Sequence, residues 1–232
     1  MILPPVHAIF FDAVGTLIHP EPPAPEVYQA VGQRYGSAVA LADIRRRFSA
    51  AFHEEDALDR AVDWRTSEAS EVERWRRIVG AVLDDVSDPV ACFRELFEHF
   101  SRAEAWRCDR DTESVLKELA ARGYRLGMAS NYDERLRSVA AGLPALRPIQ
   151  HLVISSEVGW RKPAGQFFGA ICEAIRLPPE QVLYVGDDPA NDFAGARAAG
   201  LQAVLFDAAD QHPDGVARIH QLSELSRLLP KT

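Results

Sequence analysis

The spacing of apolar positions changes along this chain, and the changes divide it. Near the amino terminus Ala8-Ile9-Phe10-Phe11 is an unbroken apolar run that ends in Asp12, Gly15 and Thr16. Such a run predicts a short strand buried on both faces, as in parallel sheets. From Glu26 to about Arg102 no strand-like run occurs. Apolar residues recur there three and four apart: Val27, Tyr28, Val31 and Tyr35; Ile44, Phe48, Ala51 and Phe52; Val72, Trp75, Val79, Val82 and Leu83; Phe93, Leu96, Phe97 and Phe100. Each set falls on one face of a helix, so these aromatic residues read mainly as core. Arg45-Arg46-Arg47 and Arg74 with Arg76-Arg77 read as solvated helix faces.

Beyond Trp106 the pattern alternates. Strands are predicted at 124–129, 151–155, 182–187 and 202–206. Helices are predicted from Asp109 or Asp111 to Leu119, from Asn131 to Ala140, over 165–176, from Asp187 to Ala199, and from Ile219 to Leu229. Gly123 and Gly200 stand where a left-handed residue ends a helix. Strands separated by helices imply βαβ units, hence an α/β fold with a doubly wound parallel sheet. Pro20, Pro22, Pro23 and Pro25 form a stiff crossover between the first strand and the helical segment. The expected organisation is an α/β core of residues 1–18 and 104–232 with an all-helical domain, 19–103, inserted in it.

Composition narrows the class of partner. The 232 residues carry 26 basic and 34 acidic side chains, a formal charge of −8, which argues against nucleic acid or an anionic membrane. Lysine is scarce: only Lys117, Lys162 and Lys231 occur. Cys92, Cys108 and Cys172 form no CxxC pair and suggest neither a zinc site nor a disulfide framework. With no long apolar run and no basic-then-apolar amino terminus, the expectation is a reduced, cytoplasmic protein, monomer or homodimer.

Candidate chemistry gathers at strand ends. Asp12 with Thr16, Ser130 with Asn131, Ser155 with Ser156, and Gly186 with Asp187 and Asp188 all end strands on one edge of the expected sheet, where open α/β sheets bind ligands. Carboxylates collected there repel each other, and an oxygen-preferring divalent cation relieves the repulsion while recruiting phosphate. Asp188 reads equally as a ligand or as a plain helix cap.

The order Phe11-Asp12-Ala13-Val14-Gly15-Thr16, Ala129-Ser130-Asn131, Gly159-Trp160-Arg161-Lys162-Pro163 and Gly186-Asp187-Asp188-Pro189-Ala190-Asn191-Asp192 resembles the four motifs of the haloacid dehalogenase superfamily. The resemblance covers nearly the whole chain and makes the helical insert a cap of the kind placed between the first two motifs. It implies Mg2+ held by Asp12, Asp187 and the carbonyl of Val14, with Asp192 holding metal-bound water. It further implies that Asp12 is a nucleophile toward a small phosphorylated metabolite. Lys162 would supply a fixed positive charge, and Thr16, Ser130 and the Asn131 amide would bind phosphate oxygens.

One departure bears on turnover. Phosphatases of the superfamily carry a second aspartate two residues after the nucleophile, which protonates the leaving oxygen; here that position is Val14. Loss of such an acid slows a reaction by roughly 10² to 10⁴-fold. Dehalogenases have tyrosine there with a fourth motif unlike Gly186-Asp187-Asp188. Phosphonoacetaldehyde hydrolases use a cap lysine, and residues 19–103 contain none. The similarity is to a branch whose first motif also lacks the paired aspartates. The expectation is a slow Mg2+-dependent phosphatase, with a non-catalytic phosphate- and metal-binding protein as the alternative and 2-haloacid dehalogenation behind both.

Overall fold

The computed structural model describes residues 3–211 and 217–230; Lys231 lies outside them. Strand β1 (Ala8–Phe11) runs through the middle of the molecule with every residue fully buried. Its side chains alternate: Ile9 and Phe11 pack into the core on one side of the sheet, Ala8 and Phe10 into the core on the other. That two-sided burial is why the run is continuously apolar.

Six strands form the sheet in the order β5–β4–β1–β6–β7–β8, with every neighbouring pair parallel. They are β4 (Arg125–Ser130), β5 (His151–Ile154), β6 (Val182–Gly186), β7 (Gln202–Phe206) and β8 (Arg218–Ile219). The chain moves outward from β1 through β4 to β5, then returns to β6 on the other side of β1 and continues outward. The direction of winding therefore reverses between β1 and β6, and the crevice at such a switch point lies outside their carboxyl ends. Asp12 and Asp187 stand at those two ends. Phe10 pairs with Gly127 across the ladder, and a Cβ on Gly127 would come within 2.2 Å of the Phe10 ring. Glycine there lets the large ring lie flat over its neighbour strand.

The helical cap comprises α1 (Ala24–Arg34), α2 (Leu41–Ala61), α3 (Glu68–Val82) and α4 (Pro89–His99). Val27, Tyr28, Val31, Ile44, Ile78, Val79 and Leu96 bury the apolar stripes against one another in a core separate from those flanking the sheet. Ser67 begins α3 with a reciprocal capping box to Ser70, and Asp88 caps α4 by accepting from the Ala91 amide. The two passages between cap and core run side by side as an antiparallel ladder of β2 (Ile18–Pro20) and β3 (Trp106–Cys108). The prolines read as a stiff crossover thus include a paired strand, which the sequence pattern did not predict.

The remaining helices are α5 (Thr112–Ala121), α6 (Arg135–Gly142), α7 (Ser155–Val158), α8 (Gly165–Ile175), α9 (Gly195–Ala198) and α10 (Leu225–Leu228). Two predicted helices differ from those found. Between Asp187 and Ala199 the chain takes a wider π turn over Pro189–Ala194 before α9. At the carboxyl end Ile219 belongs to β8, and the helix is split into a 3₁₀ turn, Leu222–Glu224, and α10. Ile219 is apolar at helical spacing, yet pairing with Phe206 satisfies its backbone and draws it into the sheet.

Candidate active site

Asp12 lies one residue beyond β1, where its amide still donates to the Val185 carbonyl at 2.8 Å. The carboxyl is almost wholly buried, and two donors converge on its Oδ1: Ser130 Oγ at 2.8 Å and Lys162 Nζ at 2.5 Å. Lys162 Nζ also donates to Asp192 Oδ1 at 2.6 Å. Burial works against the lysine's charge, but Asp12 and Asp192 outweigh it and hold the ammonium well above its ordinary pKa. Lys162 is therefore a fixed cation at any neutral pH.

The loop that carries this lysine is held by the residue after Ser130. Asn131 Oδ1 accepts from the Lys162 amide at 2.7 Å, and Asn131 Nδ2 donates to the Lys162 carbonyl at 3.1 Å. From sequence Asn131 was expected to act through its backbone amide; its side chain has this second task. Tyr184 lies under the ammonium, 5.5 Å from ring centre to Nζ, with its hydroxyl donated to the Ala129 carbonyl at 2.6 Å.

Carboxylate oxygens of Asp12, Asp187 and Asp192 lie within 4.8 Å of one another. Burial and the charges of Asp12 and Asp192 push the Asp187 carboxyl up to about 7. Since Asp187 is an exposed residue, the like charges carry more of that rise than burial does. Asp192 is pushed up to about 6 by burial and Asp12, against the pull of Lys162. Both oxygens of Asp192 are engaged, Oδ1 by Lys162 and Oδ2 by the Asp188 amide at 3.0 Å.

Thr16 Oγ1 donates to Asp187 Oδ1 at 3.3 Å, so it meets the acidic cluster rather than Asp12. Asp188 is a helix cap: it accepts from the amides of Ala190 and Asn191 at 2.8 and 2.9 Å. Glycine makes the cluster possible twice. A Cβ on Gly15, whose φ is +95°, would stand 2.3 Å from Asp187 Oδ2, and one on Gly186 would stand 2.2 Å from Asp192 Oδ2. Ser155 Oγ and the Tyr132 backbone exchange hydrogen bonds at 3.0 and 3.1 Å, which is structural, and Ser156 turns to Glu68 of the cap.

Val14 is half-buried at the edge of this cluster and lines a cavity of about 300 Å³ between the sheet edge and the cap. Phe48, Phe52 and Trp75, read from sequence as core, form part of its wall. The residues that fasten cap to core carry no motif or spacing signal in the sequence. Arg161, beside Lys162, is buried between Glu71 and Asp59, and Arg74 is buried against Asp56 and Asp59 instead of solvated. Asp59 and Glu71 lie 12 residues apart on two helices, so no local pattern joins them.

The description haloacid dehalogenase-like hydrolase fits residues 6–200, the span from before β1 to the end of the helix after β6. The chain belongs to this family. Among hydrolases of the family, haloacid dehalogenase-like hydrolase domain-containing protein 3 of Mus musculus is 27% identical over 230 residues, covering 95% of this chain and 91% of that protein. A phosphoserine phosphatase of Thermus thermophilus is 27% identical over 220 residues, covering 86% and 88%. In fold, the chain resembles the HAD-hydrolase YfnB of Bacillus subtilis, solved bound to magnesium, with a TM-score of 0.73 at 18% identity over 97% of this chain and 99% of that one.

Proposed function

We propose that this hydrolase is a phosphatase acting on a small phosphorylated metabolite through an aspartyl-phosphate on Asp12. The observation that carries the reading is the environment of that carboxylate. A buried nucleophile candidate at a strand end is held by a hydroxyl and an ammonium, with two further carboxylates within reach of one cation. A carboxylate attacks phosphorus when its own charge and that of the phosphoryl group are both offset, and Lys162 offsets them from one side.

The donor set suits Mg2+: three hard carboxylate oxygens, two of whose groups are driven toward protonation by burial and by neighbouring carboxylates in the absence of an added positive charge. Asp12, Asp187 and the Val14 carbonyl would hold the ion, with Asp192 behind them. When bound, it would neutralise the cluster and polarise the phosphoryl group. Ser130 and Lys162 leave Asp12 Oδ1 for the incoming phosphoryl oxygens, joined by the Asn131 amide, while the Asn131 side chain keeps Lys162 in register. Asp12 then displaces the leaving oxygen from phosphorus, the P–O electron pair departing with it, and water cleaves the acyl phosphate to release inorganic phosphate and restore the carboxylate. Residues 1–18 and 104–232 act as the catalytic body and 19–103 as the cap that excludes water. The magnesium in the Bacillus structure and the phosphoserine phosphatase among the relatives support this reading.

Val14 offers no proton to the leaving group, so turnover is fastest for leaving groups that depart as anions. Acetyl phosphate tests the reading: Mg2+-dependent phosphate release is expected from the native protein and none from Asp12→Asn. Equal rates in the two proteins would overturn it. Val14 also favours a second reading, a pocket that binds phosphate and metal without turning over. Saturable binding of beryllium fluoride with Mg2+, alongside no release from any phosphate ester or acyl phosphate, would select that one.

A further inference from the structure

The cavity beside Val14 indicates what leaves from phosphorus. It is walled by the aromatic rings of Tyr28, Phe48, Phe52, Trp75, Phe100 and Trp106, and reaches the strand edge at Val14 and Asn131. Both of the latter adjoin the reacting carboxylate: Val14 is two residues from Asp12, and Asn131 follows the Ser130 that donates to it. A group bonded to a phosphoryl at Asp12 therefore extends into a space lined by ring carbons. At about 300 Å³ it has room for an aromatic ring system, since an apolar void of roughly 150 Å³ already holds benzene.

Among the described residues, Arg135 is the single basic residue in that wall, and its charge is already answered. Asp133, itself buried, accepts from Arg135 Nε and Nη2, both at 2.7 Å, and Nη1 donates to the Phe97 carbonyl at 3.0 Å. The guanidinium lies 3.5 Å from the centre of the Phe97 ring. It serves as one more flat wall. An incoming carboxylate or ammonium would lose its water and find no free countercharge.

Resting on the phosphatase reading above, we infer that the substrates are phosphate monoesters of phenolic, uncharged aromatic compounds, whose ring occupies this cavity. The chemistry at Val14 agrees independently. A phenolic oxygen holds its proton only up to a pKa of about 10, whereas that of water is about 16. An aryl oxide leaves without the acid that an alkoxide requires. In the transfer, the Asp12 carboxylate bonds to phosphorus, the phosphorus to aryl-oxygen bond breaks, and the electron pair departs on the aryl oxygen, which takes its proton from solvent. Water then attacks the acyl phosphate, giving dihydrogen phosphate and free Asp12 carboxylate.

The test uses non-hydrolysable probes, so that it reads binding apart from turnover. Calorimetry of the full chain with Mg2+ compares phenylphosphonate, 3-phosphonopropionate and inorganic phosphate. Phenylphosphonate is expected to bind at least tenfold more tightly than either of the others. Ala24→Phe, which fills the cavity from the first turn of α1, and Phe48→Leu, which removes a ring from it, should each cut that preference to threefold or less. Equal binding of the three probes, or preference for the carboxylate, would overturn the inference. Retention of the full preference in whichever variant folds would do so too. Acetyl phosphate turnover on the same preparation keeps the readings apart: its absence counts against the phosphatase reading alone, whereas turnover with no aryl preference counts against the pocket alone.

Discussion

At Asp12 a single oxygen, Oδ1, receives both a hydroxyl and an ammonium, so the same donors that silence the carboxylate in the free protein are those a phosphoryl group would recruit. Val14 is the residue that separates this site from one able to protonate an alkoxide. Val14→Asp is expected to raise turnover of alkyl phosphates by roughly 10² to 10⁴-fold while changing aryl esters far less. Steady-state rates on ethyl and phenyl phosphate measure this, and equal gains on both would show that protonation is not what limits the native protein. Asn131→Ala removes both side-chain bonds to the Lys162 backbone and should cost about 1 to 3 kcal/mol of stability. The loss of kcat should exceed any change in KM, because the displaced lysine matters most where charge builds up. Motif spacing made Asp12, Ser130, Lys162 and Asp187 legible as members of one site. The second duty of Asn131 was not, since no spacing reveals which backbone a side-chain amide will clasp.

Among the elements, glycines show where strand ends have been brought close enough for chemistry. Gly186 ends β6, and any Cβ there would collide with the Asp192 carboxyl. Gly186→Ala should therefore fold with a loss of about 1 to 3 kcal/mol and lose beryllium fluoride binding, as Asp192 is driven from Lys162. Gly169 in α8 is the control: a Cβ there meets nothing within 4 Å, so Gly169→Ala should raise stability by about 0.5 to 1 kcal/mol in denaturant titration with the site unchanged. The long helices of the cap and strands β1, β4, β5, β6 and β7 were readable because their apolar periods run for whole elements. The ladder of β2 and β3 was not, because its partners lie 86 or more residues apart and each strand has three residues, too few for a period to appear. The π turn after Asp188 was hidden for a different reason. Pro189 after the Asp188 cap reads as an ordinary helix start, and nothing local marks the wider turn that carries the Asp192 carboxyl against Gly186.

Over the whole molecule, cap and core are joined by a buried chain of charges in which Arg161 bridges Glu71 and Asp59, and Arg74 continues to Asp56 and Asp59. Since Lys162 follows Arg161 directly, the position of the cap and that of the buried ammonium beside Asp12 share one loop. Arg161→Ala should cost about 3 to 5 kcal/mol by leaving Glu71 buried without its partner. The loss should show as a lowered midpoint in thermal unfolding. Burial acts to raise the Glu71 carboxyl, but Arg161 and the Thr66 hydroxyl outweigh it and hold the group below its ordinary value. A carboxyl lowered in the folded state contributes stability above its unfolded pKa of about 4.3 and loses it as pH falls through the lower folded value. The Glu71 contribution is thus intact at neutral pH and fades below about pH 4.3, whereas burial raises the Asp59 carboxyl above its ordinary value, so its pairs with Arg161 and Arg74 lose their charge sooner on acidification. Hydrogen exchange at α3 should accelerate there in the native protein, and at neutral pH in Arg161→Ala. The sequence by itself determined the α/β sheet, the helical cap and the strand-end residues of the site, because apolar period and strand-end position are local properties that carry through any folding of the chain. Only the tertiary structure decided that Arg74 is buried, that Arg135 is already neutralised, and that aromatic residues from separate cap and core segments face one cavity beside Val14. Those facts depend on which helix faces meet across the cap–core boundary, and helical period specifies that a face is apolar without specifying what it faces.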